Sequence, residues 1–462
     1  MHDARLVATM DDARSEIPGG FVLLEDDRVL SVGASPPADV RFDRRIDARG
    51  KVVLPGLVNT HHHLPQVLTR NVPGIQEAPL FPWLTALYEI WRGWDEAAVD
   101  AAARVGLGEL LLTGCTTTTD HLYLFPRGQE RLVDAEIGAA RDLGIRFHPT
   151  RGSMSRGQSQ GGLPPDDVCQ DEETILEDSA RLLREYHDPK PRAMTRVALA
   201  PCAPFSVSDR LMRGTADLAR ENGVRLHTHL AETRDEEEYC LSTYGCRPVE
   251  YLRRLGWLGS DVWLAHCVHL SPEEVVLFGE TGTGVAHCPS SNFRLGSGLA
   301  PIKALLEAGA PVGLGVDGSA SNDTSNMMAE VRQALLAHRP GHAPDRWLTA
   351  RDVLWMATRG GASCLGRDDV GSLEPGKAAD VILVETRRLS YAGAGSDILA
   401  ALVFSPFPEP VDTVIVNGRV RVEGGTLIGV DIGALVDRAE GISRALMGGA
   451  RVRRRPESPG TH

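Results

Sequence analysis

Residues 55–66 read PGLVNTHHHLPQ. A β-branched apolar run ends here in three histidines. Side chains on a strand alternate between its faces, so His61 and His63 point one way and His62 the other. Two imidazoles two residues apart on one strand face are half of a zinc-type site. The other half must come from elsewhere in the chain.

Seven further runs share the texture of this one. VVLPGLVNTHHH is followed by CTTTTDHLYL, IRFHPTRG, RVALAPCAPFSV, VRLHTHLAE, VWLAHCVHL, TGVAHCPSSN and PVGLGVDG. Amphipathic stretches such as LVDAEIGAARDLG and RLMRGTADLARENG lie between them, and several end in a glycine just before the next run, at Gly114, Gly144, Gly223 and Gly309. Eight β-α repeats predict an α/β fold, a closed TIM-like (β/α)8 barrel over residues 55–365. An open doubly wound sheet would not gather polar residues at so many strand ends. Both ends of the chain instead read as short strands and turns, including a hairpin around Asn417-Gly418. Residues 1–54 and 366–440 are therefore expected to form one small β-sandwich, with 441–462 as a C-terminal tail.

The formal net charge of -13 argues against a nucleic-acid or anionic-membrane partner. The first twenty residues are too charged for a signal peptide, and no apolar run approaches the ~18–20 residues of a spanning helix. Eight scattered cysteines without a CxxC pair fit reduced thiols. The expectation is a soluble, cytoplasmic protein.

In a (β/α)8 barrel the chemistry sits at the C-terminal strand ends. The first run supplies His61 and His63, the fifth His227, His229 and Glu232, the sixth His266 and His269, and the eighth Asp317. These donors suit a divalent metal. His227 and His229 share a face, so spacing alone does not choose between them. His229 is nearer the strand end and is followed by Glu232, which favours it; His227 then packs deeper or holds a neighbour. His121, His148 and His287 read as structural. Asp317, flanked by Gly315 and Gly318, reads as a ligand that also accepts a proton, or else as a helix cap. Glu232 reads as a proton shuttle rather than a solvated charge of the Arg234–Glu238 run.

With PGLVNTHHHLPQ, the segments HTHLAET, LAHCVHLS, HCPSSNFRLGSGLAP and GLGVDGSASND resemble motifs of the amidohydrolase superfamily, in its cytosine/guanine-type deaminase and chlorohydrolase branch. The resemblance implies one Zn²⁺ per subunit (Fe in some relatives) on His61, His63, His229 and Asp317. Glu232 would carry protons to a ring nitrogen and the departing amine. His266 would hydrogen-bond the attacking water or the tetrahedral intermediate, and Asp317 would deprotonate the water. The fourth run has no lysine, and members with two metals carry a carboxylated lysine there; the resemblance thus implies a mononuclear site. A non-catalytic scaffold relative would lack these metal residues.

The implied reaction is hydrolytic deamination of a small aminated N-heterocycle by a homo-oligomer. Gln66 would meet the ring edge and Arg151 would bind a ring carbonyl, while Phe81, Trp83, Tyr88 and Trp91 form a helical aromatic stripe that reads as core packing, or as supplying a flat ring, Trp83, to stack on the heterocycle. The SMSRGQSQGGLPPD loop and Cys202 in APCAPFSVS resemble 8-oxoguanine deaminases, which form urate and ammonia. Hydroxyatrazine-type aminohydrolases share much of this pattern, and isoxanthopterin and guanine deaminases are further alternatives. Methylthioadenosine/adenosylhomocysteine deaminases carry a histidine where this chain has Cys202.

Overall fold

Each of the eight runs forms a strand of one closed parallel barrel. The computed structural model describes residues 1–37, 41–405 and 410–449. The barrel strands are β1 Leu57–Asn59, β2 Cys115–Leu122, β3 Arg146–Ser153, β4 Ala198–Pro201, β5 Leu226–Leu230, β6 Val262–His266, β7 Gly284–His287 and β8 Val312–Leu314. They pair in sequence order, and Leu314 opposite Asn59 closes the ring. Helices between the strands cover the outside, and the four glycines expected to end helices all have positive φ. All eight cysteines are free thiols.

Both termini build a second layer. A seven-stranded sheet runs in the order Thr426–Leu427, Arg419–Glu423, Thr413–Val416, Val381–Glu385, Lys51–Pro55, Leu6–Ala8, Glu16–Ile17. The hairpin Phe21–Glu25/Arg28–Gly33 covers one face, with Val22 and Val29 packed among Val7, Val53, Val381 and Leu383. The chain crosses from this sheet into the barrel at Gly56. A Cβ there would fall 2.0 Å from Thr116 Oγ1, so only glycine lets the two layers approach.

One buried ion pair stitches sheet to barrel. Arg146, at the start of β3, donates to both Asp380 oxygens (2.9 and 3.0 Å), and Asp380 also accepts from the Asn417 N–H (2.8 Å). Breaking such a pair from one side strands a buried charge, at a cost of about 3–5 kcal/mol. Asp380→Ala should therefore lower the urea-unfolding free energy by that amount, whereas an exposed pair such as Arg49–Asp47 should barely register.

The tail expectation needs correction. Residues 441–449 belong to the helix Ile432–Gly449. Ala439, Ile442 and Leu446 recur at helical spacing and pack on Val67, Leu68, Ala98 and Ala102. Ser443 Oγ donates to the Leu68 carbonyl (2.6 Å), so the helix braces the segment just after the histidine triplet. The remaining tail residues, 450–462, lie outside the described residues. No described helix is long and apolar enough to cross a membrane.

Candidate active site

Three imidazoles converge at the C-terminal mouth of the barrel, and each is oriented by its second nitrogen. His63 Nδ1 donates to the His121 carbonyl (2.7 Å), and His229 Nδ1 donates to the Cys202 carbonyl (2.7 Å). His61 Nδ1 donates to His227 Nε2 (2.8 Å), whose own Nδ1 donates to the Trp263 carbonyl (2.8 Å). His227 thus holds a neighbour, as parity left open, and all three rings expose an unprotonated Nε2.

Those three lone pairs define the centre. His61 Nε2 is buried without a hydrogen-bond partner among the described residues. His63 Nε2 and His229 Nε2 lie 3.1 Å apart, two acceptors facing each other. Asp317 Oδ1 sits 3.5 Å from His61 Nε2 and 3.3 Å from His63 Nε2. A divalent cation turns this clash of donors into coordination, and three imidazoles with one carboxylate are a donor set it favours. Burial pushes His63 down to about 3, so its ring is neutral as ligation requires. Burial opposes ionisation of Asp317, but His61, His266 and His63 outweigh it and hold the carboxyl well below its usual range.

Asp317 and His266 are held in unusual backbone conformations, with φ of 63° and 71°. The Asp317 N–H donates to the His61 carbonyl (3.0 Å), and the Gly318 N–H to Asp317 Oδ1 (2.6 Å). Gly315 makes room for protein: a Cβ there would fall 2.7 Å from His61 Cβ. His266 Nδ1 donates to Asn292 Oδ1 (2.9 Å), which turns Nε2 toward Glu232 Oε2 (3.6 Å) and Asp317 Oδ2 (4.0 Å). Burial pushes the Glu232 carboxyl up to about 7, against the pull of His266. For His266 the balance reverses, because Glu232 and Asp317 outweigh burial and raise it.

The Amidohydrolase family pattern matches residues 52–421. The chain belongs to the amidohydrolase family. Over 431 residues it is 48% identical to the 8-oxoguanine deaminase of Pseudomonas aeruginosa, covering 93% of this chain and 95% of that one. It is 36% identical over 460 residues to the hydroxydechloroatrazine ethylaminohydrolase of Pseudomonas sp. strain ADP (96% and 94% covered). The zinc complex of atrazine chlorohydrolase from Arthrobacter aurescens TC1 superimposes with a TM-score of 0.92 at 36% identity, covering 96% of this chain and 99% of that one.

Beside the cluster of imidazoles this amidohydrolase has a narrow, partly open pocket. Gln66, Trp83 and Cys202 line it with Glu232, His266 and Asp317. Arg151 does not join them. β3 runs on to Ser153, so strand parity rather than loop geometry aims its side chain. Arg151 donates to Asp178 (2.6 Å), Gln170 (2.8 Å) and the Gly152 carbonyl, and its guanidinium covers the Phe125 ring at 3.8 Å. It is a buried structural cation. His62, on the opposite parity, meets Ser325 Oγ (3.0 Å) away from the centre.

Sequence reasoning missed several groups. Glu236, read as part of a solvated charged run, is buried and accepts from the Ala231 and Glu232 N–H groups (2.8 and 2.9 Å), fixing the backbone that presents Glu232. Its position four residues after Glu232, at a helix start, was the available signal. His121, read as structural, stacks on His229 (4.7 Å), and its free nitrogen lies within 4.8 Å of the ligand atoms of His61, His63 and His229. Asn292 sits inside HCPSSNFRLGSGLAP but carried no separate cue.

Asp120 accepts the Leu64 N–H (2.6 Å) and so steadies the loop after His63. Its carboxyl and that of Glu136, both buried, share a hydrogen bond, which one of the two must donate as the protonated acid. Burial raises both carboxyls. The native protein therefore keeps protons that the unfolded chain releases above about pH 4, so this pair costs stability as pH rises. Glu136→Gln should flatten that loss between about pH 5 and about pH 8, measured by urea unfolding at both values.

Proposed function

We propose that this amidohydrolase is a zinc-dependent hydrolytic deaminase that converts 8-oxoguanine to urate and ammonia. The observation that carries the reading is the buried meeting of His61, His63, His229 and Asp317, whose nitrogens and carboxylate oxygen face one another at 3.1–3.5 Å, with a carboxylate, Glu232, beside it. The choice of 8-oxoguanine is supported by the 48% identity to the Pseudomonas aeruginosa deaminase along nearly the whole chain. Bound by those four residues, zinc would lower the pKa of a water molecule and act as a Lewis acid.

The protein groups handle the protons. Asp317, kept ionised among the imidazoles, accepts a proton from the attacking water. The water oxygen bonds to the amino-bearing ring carbon, which becomes tetrahedral. His266, oriented by Asn292, hydrogen-bonds that oxygen. Glu232 gives its proton to the adjacent ring nitrogen, takes the proton of the new hydroxyl and passes it to the amine, and the proton held by Asp317 returns to Glu232 at the end of the turnover. The C–N bond breaks, ammonia leaves, and the new carbonyl oxygen comes from water. Trp83 and the apolar wall exclude bulk water and pack against the ring, while Gln66 meets its polar edge. The reading also carries a cytoplasmic, homo-oligomeric enzyme that acts on small heterocycles.

An ammonia-release screen of the zinc-loaded protein tests this. 8-Oxoguanine should give ammonia and urate in equal amounts and outrank isoxanthopterin, hydroxyatrazine and methylthioadenosine. Ammonia from one of those but not from 8-oxoguanine would refute the assignment.

A further inference from the structure

We infer that the Tyr88 hydroxyl is a specificity group of the pocket, donating a hydrogen bond to the edge of the bound ring farthest from the metal centre. For 8-oxoguanine, on whose assignment as substrate this identity rests, the acceptor is the C8 carbonyl.

The helix Leu80–Trp91, which we call α1, roofs the pocket. Leu80, Trp83, Leu84 and Tyr88 face into it along one helical stripe. Tyr88 alone of these four brings a hydroxyl. That hydroxyl is fully buried and has no hydrogen-bond partner among the described residues. Protein interiors satisfy nearly all such groups, so an orphan that lines a ligand pocket points to a ligand atom. The same logic applies to His61 Nε2 at the metal centre.

Position selects the far edge. The Tyr123 ring is 5.0 Å from His63, and Cys202 Sγ is 3.9 Å from His229 Nδ1, so these two residues border the metal centre. The Tyr88 ring packs against Trp91 of its own helix (6.0 Å between centroids), whereas the Tyr123 ring sits against His63, His121 and His229. Tyr88 therefore lies a layer further out. Gln66, by contrast, packs against Gly318 beside Asp317 and serves the near edge. Burial keeps the phenol protonated, so it is a donor throughout the working pH range.

Tyr88→Phe tests the assignment in the zinc-loaded enzyme, with urate and xanthine as competitive inhibitors that differ by the C8 oxygen. The kcat/KM for 8-oxoguanine and the affinity for urate should each fall about 10- to 100-fold, while xanthine changes less than about 3-fold. The ligand-free Tm should equal or exceed that of the wild type, because an unsatisfied buried group is removed. Parallel losses for urate and xanthine, no loss for either, or a lower ligand-free Tm would overturn the assignment and mark Tyr88 as a packing residue. If the wild type leaves 8-oxoguanine untouched, the substrate reading fails separately. The variant is then compared on the heterocycle the enzyme does deaminate, where a KM raised about 10-fold supports the hydroxyl contact and unchanged constants refute it.

Discussion

His63→Ala should lose both the bound metal and the activity. The His63 Nε2 lone pair faces that of His229 at 3.1 Å and the Asp317 carboxylate at 3.3 Å. Removing the ring deletes one of three imidazole donors and leaves the other groups without a complete set. Disturbing even an outer-shell partner of a ligand costs 10- to 100-fold in metal affinity, so loss of a ligand itself should cut kcat/KM by on the order of 10³-fold or more. The fold should survive, because the His63 side chain contributes little apolar packing. The check is metal analysis of the purified variant beside its ammonia release. Full metal occupancy in His63→Ala would refute the ligand assignment.

Glu232→Gln should separate metal binding from proton transfer. Glu232 approaches His266 at 3.6 Å and is not one of the clustered donor groups that can close on a metal. Glutamine keeps the shape and can still hydrogen-bond, but it cannot carry a proton. A lost general acid–base group lowers kcat by about 10²- to 10⁴-fold. Metal content should stay at the wild-type level and KM should change little. A variant that retains kcat would show that the proton travels another way; one that loses its metal would make Glu232 a ligand.

Much of this was legible in the sequence because strand parity and barrel topology are rigid rules. Each of the eight apolar runs supplies a barrel strand, the first only from Leu57 on, and the polar residues at their ends meet at one mouth because parallel strands put their C-terminal ends together. Parity separated His61 and His63 from His62. It could not choose between His227 and His229, since both share a face. The hydrogen bond from His61 to His227 supports the proposed choice of His229.

The misreadings have physical causes. Arg151 was read as a group for a ring carbonyl because it stands near the end of the third run, but β3 continues to Ser153 and a helix outside the barrel supplies Asp178 as counter-ion. Residues 441–449 looked like tail because their stripe of Ala439, Ile442 and Leu446 is sparse; the partner surface at Val67 and Ala98 is far away in sequence. The buried role of Glu236 was masked by the acidic residues around it, and only tertiary structure shows which of them turns inward. Tyr88 stood in the sequence as one member of an aromatic stripe, and nothing local tells a packed ring from one with an unsatisfied hydroxyl.

The central claim is a single-metal centre on which turnover depends. Its most direct test is to strip the protein of metal, titrate zinc back, and follow ammonia release from 8-oxoguanine. The account predicts negligible activity in the metal-free protein and a linear return that reaches its plateau at one zinc per chain. A plateau at two ions per chain, or activity that survives metal removal, would contradict it.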